Sequence, residues 1–200
     1  IDYLCTAGHK GLYGPMGTGF LLINSETMPD SLIQGGTGSY SSDRLQPEQL
    51  PDKYESGTPN VAGIAGLREG LRFVKSRGTD NIARHEMRLA QLMYDRLKKI
   101  SGVELYTARP EISTHVPVIS FNIEGTDSER VAQILNNRFG IAVRAGLHCA
   151  PLAHISKGTE ERGTVRAVLS AFNKQRHAEY FCQCVNKSVI YNAKKVAFDI

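Results

Sequence analysis

A lysine set among glycines, a cysteine beside a histidine and an arginine inside an apolar run are the residues here best suited to chemistry. Gly8-His9-Lys10-Gly11 opens a segment with glycines at 8, 11, 14, 17 and 19 and a proline at 15. Such density breaks helices and lets backbone approach a ligand closely. A lysine amine held there can form a Schiff base with a carbonyl cofactor, pyridoxal phosphate (PLP) being the main biological case. An exposed loop lysine is the plainer reading. Gly35-Gly36-Thr37-Gly38-Ser39 can present several N–H groups and a hydroxyl to a phosphate, or it can be an ordinary turn.

Cys149 lies in Arg144-Ala145-Gly146-Leu147-His148-Cys149-Ala150-Pro151-Leu152. An arginine and a histidine so close in sequence are groups that can stabilise a thiolate. The commoner fate of a single cysteine is a buried structural one. Cys182 and Cys184 fit that fate, with Cys184 on the apolar face of a predicted helix, and Cys149 does not. Arg166 interrupts the strand-like run Thr164-Val165-Arg166-Ala167. A buried guanidinium needs a carboxylate or phosphate, supplied either by a ligand or by an internal Asp or Glu.

Elements must position these groups. Residues 1–23 read as strand, glycine loop and second strand, and residues 24–59 as a long polar connection that is functional or disordered. Val61, Ile64, Leu67, Leu71 and Val74 have helical spacing behind Asn60 as N-cap. Gly63, Gly66 and Gly70 on that helix predict close packing against another element. A second amphipathic helix is predicted over 80–100. Strands follow at 103–106 and 116–123, and a capping box at Thr126-x-x-Glu129 opens a helix that Gly140 ends. Strands at 141–144 and 164–169 flank the cysteine loop, and a final helix covers 174–190. The boundary is expected inside or just after the 80–100 helix, giving domains 1–90 and 91–200.

The 200 residues are 41% hydrophobic and 22% charged, ordinary for a globular protein. A net charge of +4, spread along the chain, gives little reason to expect nucleic acid. No run approaches the roughly 18 apolar residues of a membrane span. The four cysteines form neither a disulfide framework nor a paired Cys-x-x-Cys zinc pattern, so no metal is expected and a reducing cytoplasm is the simplest compartment. The opening Ile1, with no signal peptide behind it and a chemical motif within ten residues, suggests a fragment.

Taken together, the motifs resemble the cysteine desulfurases and selenocysteine lyases, a branch of the class V, fold type I, PLP enzymes. Ala7-Gly8-His9-Lys10-Gly11-Leu12-Tyr13-Gly14-Pro15 looks like the family's lysine loop. Tyr54-Glu55-Ser56-Gly57-Thr58-Pro59-Asn60 is similar to its Gly-Thr-Pro-Asn turn, and Arg144-x-Gly-x-His148-Cys149 to its catalytic-cysteine loop. Arg166 to Asn173 resembles the stretch where the family's arginine grips the substrate carboxylate. Met16 departs from the polar residue expected in the lysine loop, and the tail from 174 to 200 fits the family poorly.

The resemblance implies an α/β fold: the end of a large PLP-binding domain followed by a small α+β C-terminal domain. It implies Lys10 as the Schiff-base lysine, His9 ordering the cofactor, and Thr37 reaching the cofactor phosphate of a neighbouring subunit in a homodimer. Arg166, assisted by Arg144, would bind the carboxylate of L-cysteine or selenocysteine. Cys149 would accept sulfur as a persulfide and pass it to an acceptor protein for iron–sulfur or other sulfur-using pathways. The family's pyridine-nitrogen aspartate, ring-stacking histidine and several phosphate ligands lie upstream of its lysine, so the sequence reads as a C-terminal half. Another class V aminotransferase or lyase that does not need Cys149, or a non-catalytic domain with only a partner-binding role, are the alternatives.

Overall fold

The structure is a computed structural model and describes residues 1–196, with side chains to residue 190. It divides into two compact units, Ile1–Gly78 and Thr79–Ile200. Residues 197–200, the end of the atypical tail, lie outside the described residues.

In the first unit β1 (Tyr3–Ala7) and β2 (Gly19–Ile23) pair antiparallel, with Tyr3 opposite Ile23 and Ala7 opposite Gly19. The lysine loop is therefore the connection between two paired strands. Its base is closed where the Gly8 N–H donates to Thr18 O at 2.8 Å, and the Gly14 N–H donates to Gly8 O at 2.8 Å. The ribbon has two strands only, and Leu4, Leu21 and Leu22 on it are exposed. Residues 24–59 form turns and bends without helix or strand.

Helix α1 (Val61–Arg77) starts where expected, with Asn60 Oδ1 accepting from the Gly63 N–H at 3.0 Å. Its glycines meet the lysine loop. A methyl at Gly70 would lie 2.2 Å from Leu12 O, and one at Gly66 would lie 3.0 Å from Pro15. Buried Leu67 packs beside Gly8 and Gly14 of the same loop. Alanine is a better helix former than glycine by about 1 kcal/mol. Gly70→Ala is nevertheless expected to destabilise by about 1–3 kcal/mol, because the overlap is with backbone that cannot swing away. Urea denaturation followed by circular dichroism measures it, and a stabilised variant would mean that the loop yields.

The second unit begins at α2 (Thr79–Leu97). The divide falls at Gly78, ahead of this helix rather than within or after it. The reason is packing: Leu89, Ala90, Met93 and Leu97 of α2 belong to the second unit's core, and the final helix of the chain is a neighbour of α2. A three-stranded antiparallel sheet follows in the order β3 (Val103–Leu105), β4 (Val118–Ile123), β5 (Val165–Val168). Ile119, Phe121, Ile123, Val165 and Ala167 alternate onto one face. There they join α2, α3 (Ser128–Phe139) and α5 (Gln175–Val196). Phe121 meets Phe181 of α5 edge to face, ring centroids 5.9 Å apart. Cys184, Val185 and Ser188 of α5 are buried with them, Cys184 on the apolar face as expected.

The opposite face carries the polar partners of the same alternation, Glu104 opposite Asn122 and Ser120 opposite Arg166. Arg166 thus projects from the sheet on the side away from the core.

Three local expectations change. Thr126 does not cap α3: the N-cap is Asp127, while the Thr126 N–H turns back to Ile123 O at 3.1 Å. Residues 141–144 are not a strand. The Ile141 N–H is committed to Leu135 O in the cap at Gly140, so the segment meets β5 only at the Arg144–Arg166 bridge. The loop after Cys149 contains a helix, α4 (Pro151–Lys157), with Pro151 in its first turn and left-handed Gly158 ending it. Proline placed there is a start signal that the apolar pattern of so short a segment does not reveal. Among the described residues no helix is long and apolar enough to cross a membrane.

Candidate active site

The second unit brings Arg144, His148, Cys149 and Arg166 together. Arg144 and Arg166 exchange backbone hydrogen bonds, Arg166 N–H to Arg144 O at 2.7 Å and the return bond at 3.3 Å. From that bridge the chain turns through Gly146 to His148 and Cys149, both in the left-handed region at φ 52° and 59°. Each residue with a side chain held there costs about 1 kcal/mol or more. The loop is anchored against that cost. The His148 Nε2–H donates to Thr164 O at 2.8 Å, and the Thr164 N–H donates to Gly146 O at 3.1 Å. The result is an exposed Cys149 whose Sγ lies 3.7 Å from Arg144 Nη2.

A positive charge at that distance can pair with a thiolate. The other thiols of this unit differ. Cys182 and Cys184 are buried in the core, and burial pushes the Cys182 thiol up to about 12. His148, although next in sequence to Cys149, turns its imidazole to Thr164. Burial, and then the positive charge of Arg166, holds its pKa below the ordinary histidine value, the neighbouring His154 and Arg144 adding to the effect. A depressed histidine binds fewer protons folded than unfolded, so its contribution to stability is kept above the ordinary histidine pKa and lost as pH falls below it.

Arg166 is half-buried and forms no ion pair among the described residues, so no internal Asp or Glu answers it. Its Nε is buried without a hydrogen-bonding partner. A ligand anion is the remaining chemistry that suits a guanidinium in this position.

The first unit holds His9, Lys10 and Thr37. Lys10 is exposed at the tip of the β1–β2 connection, where its carbonyl accepts from the Tyr13 N–H at 3.0 Å. Half-buried Thr37 lies in the glycine loop, lining a cavity of about 380 Å³ together with Gly36, Tyr40, Ser41 and Arg44. Gly35 and Gly36 have φ of 97° and 66°, a conformation that side chains resist. The loop is tied to the second motif of the unit: Gly35 O accepts from Ser56 Oγ at 2.9 Å and from the Gly57 N–H at 3.2 Å. The Gly-Thr-Pro-Asn turn therefore braces the glycine loop at one end and caps α1 with Asn60 at the other.

Residues 1–181 match the model of the class-V aminotransferases, and the chain belongs to that family. It is 35% identical over 178 residues to a probable cysteine desulfurase of Methanothermobacter thermautotrophicus, covering 86% of this chain and 44% of the relative. Among solved structures it is similar to an apo cysteine desulfurase from Thermococcus onnurineus NA1, at 35% identity and a TM-score of 0.83. That match covers 94% of this chain and 47% of the other. A cysteine desulfurase from Escherichia coli matches with a TM-score of 0.82 at 29% identity, over 96% of this chain and 47% of the other. The expected fold class holds. The chain spans about half the length of the curated relatives it matches.

Sequence reasoning missed Thr107, His154 and Thr164, which line one cavity with His148 and Arg166. No spacing signal announces a threonine in a turn. His154 carried one, six residues beyond His148, but only the unforeseen α4 gives that spacing meaning.

Proposed function

We propose that this chain supplies the cofactor lysine and the sulfur-accepting thiol of a PLP-dependent cysteine desulfurase, acting on L-cysteine or its selenium analogue. The observation that carries the reading is Cys149: exposed, on an anchored left-handed loop, with a guanidinium 3.7 Å from its sulfur. The name shared by the relatives points the same way. PLP, when bound, supplies the electron sink that loosens the substrate's C–S bond.

The residues of the first unit suit such a group. Lys10 offers an exposed amine in a loop held by backbone hydrogen bonds, with His9 beside it. Thr37, in a loop rich in left-handed glycines, offers a hydroxyl to a phosphate, in our reading that of a second copy of the protein. Arg166, with Arg144 nearby, orients the substrate carboxylate. Cys149 as thiolate attacks the substrate sulfur: an S–S bond forms, the substrate C–S bond breaks, and the carbon takes a proton to leave L-alanine. The persulfide on Cys149 then passes to an acceptor protein, consistent with an exposed thiol and with a role in cytoplasmic sulfur supply.

The test of the lysine is direct. The 200-residue chain is mixed with PLP, its absorbance recorded, and the adduct reduced with borohydride and mapped. A visible-edge band and a label concentrated on Lys10 are expected. A label spread evenly over the surface lysines would remove Lys10 from the proposal.

A further inference from the structure

We infer that Thr107 and His148 complete, with Arg166, a site for one small carboxylate, that of an amino acid, in the cavity beneath the Cys149 loop. The inference rests on the proposed role of Arg166 and extends it to two residues not assigned above. The cavity measures about 300 Å³ and is lined by Thr107, Ser120, His148, His154, Lys157 and Arg166, among others. It lies wholly within the second unit.

Three buried side-chain atoms at this cavity have no hydrogen-bonding partner: Thr107 Oγ1, His148 Nδ1 and Arg166 Nε. Buried polar groups are nearly always paired in native proteins, and leaving them unpaired is costly. Three around one cavity call for a ligand that satisfies them together. Their chemistry specifies it. Arg166 can only donate, and the Thr107 hydroxyl can donate. Because a carbonyl only accepts, the His148 hydrogen bond to Thr164 O fixes a proton on Nε2. Nδ1 is then a lone pair while the ring is neutral, and a third donor once it is protonated.

Charge points to an anion as well. The groups facing His148 are Arg144 from the preceding loop, Arg166 from β5 and His154 from α4, whose ring centroid is 5.7 Å away. Lys157 of α4 lines the same cavity, and no carboxylate does among the described residues. A bound anion is the missing counter-charge. It accepts from Arg166 and Thr107 and draws a proton onto His148 Nδ1, so that binding and protonation of His148 reinforce each other.

The test is nuclear magnetic resonance of the His148 ring in the 200-residue chain, titrated with pH in the presence of propionate, L-alanine or sulfate. Propionate and L-alanine are expected to raise the His148 pKa. Thr107→Val removes only an unpartnered hydroxyl, so its melting temperature should match the native chain while propionate binds about tenfold more weakly. Arg166→Lys should abolish the response. No shift of His148 with either carboxylate, or native affinity in T107V, overturns the inference. A response to sulfate without one to the carboxylates also overturns it, in favour of an inorganic oxyanion. If R166K loses carboxylate binding while T107V keeps it, the Arg166 reading stands and this extension fails. If R166K binds as the native chain does, the reading itself fails.

Discussion

Under the proposed function, serine at position 149 is expected to lower the release of alanine from L-cysteine by at least about a thousandfold. The hydroxyl is nearly isosteric, so the loop should keep its shape, held by His148 on Thr164 rather than by the sulfur. What is lost is the nucleophile. A thiolate is soft, polarisable and matched to attack on sulfur, whereas a serine hydroxyl is a hard, poor nucleophile toward it. Arg144, 3.7 Å from the sulfur, would have no anion to pair with. Nor can Cys182 take over, being buried with its thiol pushed up to about 12. Alanine release and the mass of the Cys149 peptide after exposure to substrate measure the effect. Undiminished alanine from the serine variant would remove Cys149 from the chemistry. Loss of desulfuration with transamination retained would leave a class-V enzyme whose sulfur step alone depends on this thiol.

A large effect on stability is also expected at a polar residue, Asn122. Its side chain is fully buried on the polar face of β4. Nδ2–H donates to Gly163 O at 2.9 Å, and Oδ1 accepts from the Val165 N–H at 3.3 Å. The amide thus grips the backbone where β5 begins, one residue before Arg166 and on both sides of Thr164. Arg162 adds to the anchor by donating to the Tyr106 hydroxyl at 2.6 Å and pairing with Glu104. Asn122→Ala strands two backbone groups and opens a cavity, for an expected cost of about 3–4 kcal/mol. The Cys149 loop, tied through Thr164, should loosen with it. Equilibrium urea denaturation gives the number. A loss below about 1 kcal/mol would mean that water or rearranged backbone replaces the amide.

Much of this was legible in the sequence because the deciding signals are local. Asn60 capping a run of helical spacing, glycines on α1 and the alternation of Val118 to Ile123 each state their own structure. The nearness of Arg144 to Cys149 was legible for a different reason: the two lie within six residues, so one turn brings them together, while the His148 ring turns to Thr164. What failed was what depends on competition for backbone groups. Residues 141–144 have strand-like composition, yet the cap at Gly140 takes the first amide and the ladder does not form. Thr126 has capping-box spacing, but a turn from Ile123 uses its N–H and moves the cap to Asp127. Thr107 had no signal at all. It reaches the cavity of Arg166 only because β3 lies beside β4 and β4 beside β5, a pairing of residues far apart in the chain.

The ribbon of β1 and β2 has a bearing on how the molecule behaves among others of its kind. Tyr3-Leu4-Cys5-Thr6-Ala7 and Gly19-Phe20-Leu21-Leu22-Ile23 contain no charge and no proline, the usual guards on a free strand. Among the described residues no third strand pairs with either outer edge, and the leucines on the ribbon reward contact. At high concentration such a surface favours edge-to-edge association and precipitation over a stable solution. Association of the 200-residue chain at high concentration is therefore expected to start at these ten residues, however firmly the sheet around Arg166 is built.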